Sequence, residues 1–299
     1  MNPQNINRLA MIKYLTLNAA KQTNLAEPLS GFSILSFHDA IELFLNLVCV
    51  DKDITIPKNF MEYWTEIDKH ISPDKLSHKT TMQKLNRARV SFKHHGIVPS
   101  KTDIESFKVM TLSFLNENYA KFFNIEFNDV SLIELIQNDK SRKFLKDAEK
   151  AFNEKSIEEC LISLSKSYGY LLVDYESNKK DSSFKSPFNF NNHFSSMRQV
   201  PNDVEYQTKK FLTALASSIE KLQNVIRLIT LGIDYKKFIR FAAITPNYHV
   251  LANGDILNAN IHRQTISNDD FQFCRDFIIE TALRLQETDF KLDENDYYG

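Results

Sequence analysis

Five side chains within nine residues have the chemistry to handle a phosphodiester: Arg87, Arg89, Lys93, His94 and His95. A guanidinium grips phosphoryl oxygens through two parallel N–H donors and stays charged at any physiological pH. An imidazole takes or gives a proton near neutrality, the property required of a general base or acid. Together these groups suit RNA cleavage without a metal. The ribose 2′-hydroxyl attacks the neighbouring phosphorus. A histidine removes its proton or protonates the leaving 5′-oxygen, and an arginine stabilises the charge that develops on the phosphoryl oxygens. The product is a 2′,3′-cyclic phosphate.

The surrounding charge favours an anionic ligand. From Lys69 to Lys101 there are eight Lys or Arg and one acid, Asp74, so the segment carries +7. The chain as a whole carries −1, which leaves −8 for the remainder. Four of the eight histidines also fall in the segment: His70, His78, His94 and His95. Such concentration of positive charge and imidazole marks a surface for anions.

The elements that must hold these groups read as helices. The chain is 42% apolar and 25% charged, the balance of a folded protein, and its 299 residues suffice for one large or two ordinary domains. Only six Gly and eight Pro punctuate it, which favours long helices with short connections. Expected helices run over residues 5–24, 30–50, 59–70, from Ser72 to His95, and from Thr102 to about Phe123. Ser72-Pro73-Asp74 reads as an N-cap with Pro at the first helical position, and the helix it opens breaks near His78. Gly96 and Pro99 stop that helix. Thr102 and Glu105 are spaced as a capping box. Residues 30–50 are apolar nearly all round, as in a buried helix, so His38, Asp39, Glu42 and Asn46 need partners there. His38 and Glu42, four apart, share a face.

A domain boundary is expected near residues 128–139, separating a domain over 1–128 from one over 139–299. Beyond it the sequence predicts a helical hairpin over 141–177 turning near residues 153–156, and a Phe-bearing loop over 178–201. A long helix over 204–231 and a short one over 233–241 follow. A β-hairpin around Asn253-Gly254-Asp255 comes next, then a final helix capped at Ser267 and an acidic tail. Phe184, Phe188, Phe190 and Phe194 read as loop anchors with base stacking as the alternative. Arg240, His249 and His262 read as structural.

At 100° per residue, Met82, Leu85, Arg89 and Phe92 lie on one stripe, so Arg89 faces the core. His94 lies about 140° round an ideal helix from Arg89. The two converge on one phosphate only if the last turn loosens. Arg87 and His94, seven apart, share nearly one face.

Arg89-Val90-Ser91-Phe92-Lys93-His94 resembles the R-x4-6-H motif of HEPN-domain ribonucleases, which occur in bacterial toxins and antiphage defence. His95 from Arg89, and His94 from Arg87, also fit the spacing. In that family the motif lies near the end of a helix in an antiparallel bundle, facing an earlier buried helix with a polar or acidic residue. Phe37-His38-Asp39-Ala40-Ile41-Glu42-Leu43 resembles the earlier helix. The resemblance spans roughly residues 5–125. Val90 stands where the family commonly has a polar residue after its arginine, and Asn86 is the amide that could substitute in space. The resemblance implies an HEPN-like antiparallel bundle; with the helical accessory region and small β-hairpin read beyond it, the expected fold is mostly α. The resemblance implies Arg89, His94 and His95 as catalytic residues. Asn86, Arg87, Lys93, His38 and Glu42 would bind RNA or support the site. It also implies RNA as partner and a homodimer that sets two Arg-His pairs across a cleft. Residues 143–176 look similar to the helical hairpins of such bundles but carry no such motif, which suits dimerisation, sensing or regulation.

The expected setting is cytoplasmic. The N-terminal residues lack the pattern of a signal peptide, and no apolar run approaches membrane-spanning length. Cys49, Cys160 and Cys274 each sit within an apolar helical pattern, as buried free thiols do. No Cys or His group has zinc-ligand spacing, so no metal or cofactor is expected. Two other readings use the same basic helix: a non-catalytic RNA- or nucleotide-binding or regulatory partner in a defence complex, and a protein-interaction domain in which the helix face is merely solvated.

Overall fold

The computed structural model describes residues 2–179, 186–188, 205–251, 254–258 and 265–290. Among these are ten α-helices and one two-stranded antiparallel sheet. The chain divides into two compact units, Met1–Leu135 and Ile136–Gly299.

The first unit is built round one apolar helix. Helix α1 (Pro3–Gln22) starts at Asn2, whose side chain accepts from the Gln4 N–H. A 3-10 turn (Leu29–Phe32) leads directly into α2 (Ser33–Asp51). Then come α3 (Glu62–Ile71), α4 (Lys79–His95) and α5 (Lys101–Phe123). Helix α2 packs against α1, α4 and α5. Phe44, fully buried, contacts the rings of Phe114, Tyr119, Phe122 and Phe123 on α5. The Tyr119 hydroxyl donates to the Leu9 carbonyl at 2.9 Å, and burial holds its proton far above the usual phenol range.

The 3-10 turn and α2 together form a 23-residue apolar stretch, Leu29–Asp51, long and apolar enough to cross a bilayer by length and composition. This corrects the expectation that no run reaches that length. Most of its apolar window is buried inside the unit, where it serves as the core helix. Nor is it buried all round: Asp39, Leu43 and Val50 are exposed. Asn46 is satisfied by the Tyr63 hydroxyl, which donates to it at 2.7 Å.

The start of α4 differs from the sequence expectation. Ser72-Pro73-Asp74 caps no helix. Residues 72–78 form a turn held from both sides, and α4 begins only after His78 in a left-handed conformation. Asp68 accepts from the Leu76 N–H, Trp64 Nε1–H donates to the Ser77 carbonyl, and Asn118 donates to the Ser77 hydroxyl. These long-range bonds outweigh the local cap. The cap of α5 is also shifted: Ser100, not Thr102, accepts from the Asp103 N–H and bonds its carboxylate.

The segment expected to mark the domain boundary belongs to the first unit as far as Leu135. Phe127 and Ile133 are buried in two 3-10 turns (Phe127–Asp129 and Leu132–Leu135), and Val130 is buried between them. Lys13 clamps them to α1, donating to the Asn128 and Val130 carbonyls.

The second unit contains α6 (Asp139–Asn153) and α7 (Ile157–Ser177), which form the expected hairpin. It continues with α8 (Tyr206–Thr230), α9 (Tyr235–Ile244), strands β1 (Tyr248–Val250) and β2 (Ile256–Asn258), and α10 (Asn268–Glu287). The strands pair antiparallel with His249 opposite Leu257. Ser267 caps α10 by accepting from the Asp270 N–H. Tyr168 is the centre of the core, ringed by Phe238, Phe241, Tyr248 and Phe277. Gly169 lets the sheet approach α7: a Cβ there would stand 2.5 Å from Ile256 Cδ1. The three cysteines are buried free thiols, and burial raises those of Cys49 and Cys160 to about 11. Phe188 is buried against Tyr175 and Phe290, as an anchor would be. Phe184, Phe190, Phe194, Asn253 and His262 lie outside the described residues.

Candidate functional site on helices α2 and α4

Helix α4 ends as its sequence demands. Gly96 takes φ +68°, its N–H returns to the Phe92 carbonyl, and the Ile97 N–H returns to Ser91. This paired closure satisfies the last carbonyls and lets the chain turn away. Lys93, His94 and His95 fill the last helical turn, where positive charge meets the negative end of the helix dipole.

The helix is regular through His95, so its last turn does not loosen. Arg89 and His94 therefore stay about 140° apart round the axis and do not meet within one chain. Arg87 and His94 fall within about 20° of one another, two turns apart, and both are exposed. Lys93 and His95 are exposed as well. Met82 and Leu85 are buried, with Arg89 and Phe92 half-buried on the same stripe.

Arg89 joins a different group. Half-buried on the stripe of Met82 and Leu85, it carries a positive charge that opposes protonation of His38 on α2. His38 is 2% exposed. Its Nε2–H donates to the Asn86 amide oxygen at 3.1 Å, across the α2–α4 contact, and its ring lies against Phe60. Its Nδ1 has no hydrogen-bond partner. That nitrogen faces two carboxylates, Asp39 Oδ1 and Glu42 Oε2, each 3.7 Å away. Burial lowers the His38 pKa below its ordinary value. Glu42 and Asp39 oppose the shift, and Arg89 reinforces it.

Of the predicted site residues, the structure thus gathers His38, Glu42, Asn86 and Arg89. It leaves Arg87, Lys93, His94 and His95 on the outer side of α4. Sequence reasoning named Asp39 only as a polar exception in an apolar helix. The pattern His-Asp-x-x-Glu, with i and i+4 on one face, was the available signal. His70 and His78 are committed elsewhere: His70 Nδ1 to the Glu66 carbonyl at 2.9 Å, and His78 Nε2 to Glu117 at 3.0 Å.

Among the described residues, Lys84, Arg87, Arg89, Lys93, His94 and His95 make no side-chain hydrogen bond or ion pair. Cations elsewhere in the chain commonly have acidic partners, as Lys108 has Glu105 and Arg227 has Glu176. Among the described residues, no carboxylate engages the positive charge and imidazole of these α4 side chains.

No known protein family, no curated protein and no solved structure matches the chain.

Proposed function

We propose that the first unit is a metal-independent endoribonuclease of the HEPN type, acting in bacterial antiphage defence or a toxin system in the cytoplasm. The observation that carries this reading is the run of cations and imidazoles along α4, without acidic partners among the described residues, at the spacing of an R-x4-6-H motif. Arg89 or Arg87 stabilises the phosphoryl oxygens, His94 acts as acid or base with His95 as its alternate, and Lys93 holds the RNA backbone. With α4 regular to His95, a pairing of Arg89 with His94 calls for the histidine of a second chain, as a homodimer would supply. Arg87 with His94 is the pair that one chain can supply alone.

The test is cleavage of single-stranded RNA by the purified full chain in EDTA. Cleavage lost in His94→Ala supports the reading. Cleavage that requires a divalent metal, or survives both His94→Ala and His95→Ala, overturns it.

The separation of Arg89 from His94 favours a second reading: a non-catalytic RNA- or nucleotide-binding or regulatory partner. Salt-sensitive RNA binding without cleavage selects it.

A further inference from the structure

His38 and Glu42 were expected to bind RNA or support the site, and Asp39 only to need a partner in an apolar helix. Their geometry suggests a separate role. Nδ1 of His38 is a buried nitrogen without a hydrogen-bond partner, which costs stability unless something fills the position. The Asn86 carbonyl oxygen accepts from Nε2–H, which fixes the hydrogen on that nitrogen. The lone pair of a neutral imidazole is then on Nδ1, the nitrogen 3.7 Å from a carboxylate oxygen of Asp39 and of Glu42. Histidine ligands of metals are oriented this way, with the far N–H donated to a carbonyl or carboxylate.

We propose that His38 Nδ1, Asp39 and Glu42 bind one divalent transition-metal ion of the zinc class, with the remaining coordination positions open to water. The three ligand atoms lie within 4.8 Å of one another. Metal–ligand bonds of about 2.1 Å require separations of about 3.0–3.4 Å, so closing the site takes movements of about 1 Å. The mobile parts are the two carboxylates, whose side chains are 57% and 40% exposed, while the imidazole is fixed. One nitrogen and two oxygens select zinc, cobalt, nickel or manganese over calcium and magnesium, which prefer oxygen alone. Arg89 is the cation whose charge bears on His38. Two carboxylates and one guanidinium round a neutral ring leave a local charge of −1, which still attracts a dication. The site is independent of the cleavage chemistry proposed above and does not rest on it.

The experiment is titration of the metal-stripped full chain with Zn2+ by calorimetry and with Co2+ by its visible absorption bands, near neutral pH. The expected result is one saturable equivalent. Glu42→Gln and Asp39→Asn each weaken binding at least about tenfold, and Asn86→Ala weakens it by a similar factor through loss of the ring's orientation. The two carboxylate variants change exposed side chains, so circular dichroism should show an unaltered fold. The double variant His94→Ala/His95→Ala should bind as the wild type does. No saturable binding in the wild type overturns the proposal, as does binding unchanged in Glu42→Gln and Asp39→Asn, or lost in the His94/His95 variant.

Discussion

His38 on α2 donates from Nε2 to the Asn86 amide oxygen on α4 at 3.1 Å, and through that bond a neutral, buried imidazole ties the core helix to the basic one. Its proton affinity is lowered by burial first and by Arg89, against the pull of Glu42 and Asp39. The unfolded chain therefore takes up a proton at this residue before the folded chain does. Stability from the neutral ring is fully present above the ordinary pKa of 6.5 and is lost as pH falls below it. Thermal unfolding of the full chain in EDTA should show the melting temperature falling as pH drops from about 7.5 to about 5.5. His38→Gln keeps a donor for Asn86 but cannot titrate, so its melting temperature should fall less steeply. A steeper fall in His38→Gln than in the wild type contradicts this account.

The placement of Arg89 makes a prediction about subunits. If Arg89 and His94 act across a two-fold axis, a mixed dimer of Arg89→Ala with His94→Ala chains contains one intact pair. Mixing the two inactive proteins after brief unfolding and refolding together should restore about a quarter of wild-type cleavage, since half the dimers are mixed and each keeps one of two sites. If Arg87 and His94 of one chain form the pair, Arg89→Ala retains activity, Arg87→Ala loses it, and mixing Arg87→Ala with His94→Ala restores nothing.

How much of this could be read from the sequence depended on whether the controlling contact was local. The stop at Gly96, the turn between α6 and α7 and the Ser267 cap are local, and each is where its residues indicate. The inward direction of Arg89 followed from helical angles, because Met82 and Leu85 fix which face is buried. The start of α4 was not legible. Ser72-Pro73-Asp74 has the composition of a cap, but Asp68, Trp64 and Asn118 hold the residues after it as a turn. The α5 cap was ambiguous for another reason: Ser100/Asp103 and Thr102/Glu105 share one spacing, and the helix takes the earlier pair. The His38–Asn86 bond joins residues 48 apart, and no periodicity encodes it.

In the second unit the sheet rests on Gly169. A Cβ at that position stands 2.5 Å from Ile256 Cδ1 and 3.2 Å from the Tyr248 ring. Gly169→Ala would gain about 1 kcal/mol of helix propensity, yet overpacking of this kind costs about 1–3 kcal/mol. The expected net result is a loss of stability. Ile256→Val removes the clashing methyl, so the double variant should be more stable than Gly169→Ala alone. Denaturant unfolding of the four proteins measures the coupling. Additive effects would mean that the two residues do not touch.

Gly96 offers the most direct test of how the candidate catalytic turn is held. Nothing lies within 4 Å of a Cβ built there, so any penalty for a side chain comes from the backbone, at φ +68°. A non-glycine residue in the left-handed region costs about 1–2 kcal/mol, and asparagine tolerates it better than alanine. Gly96→Ala should therefore destabilise the protein by about that amount, and Gly96→Asn by less. The same ranking should appear in cleavage if the closure of Gly96 and Ile97 on Phe92 and Ser91 sets the direction of His94 and His95. Alanine frays the last turn and lowers cleavage, while asparagine keeps the turn and retains most of it. Equal stability of wild type, Gly96→Ala and Gly96→Asn would show that α4 does not end on a left-handed residue.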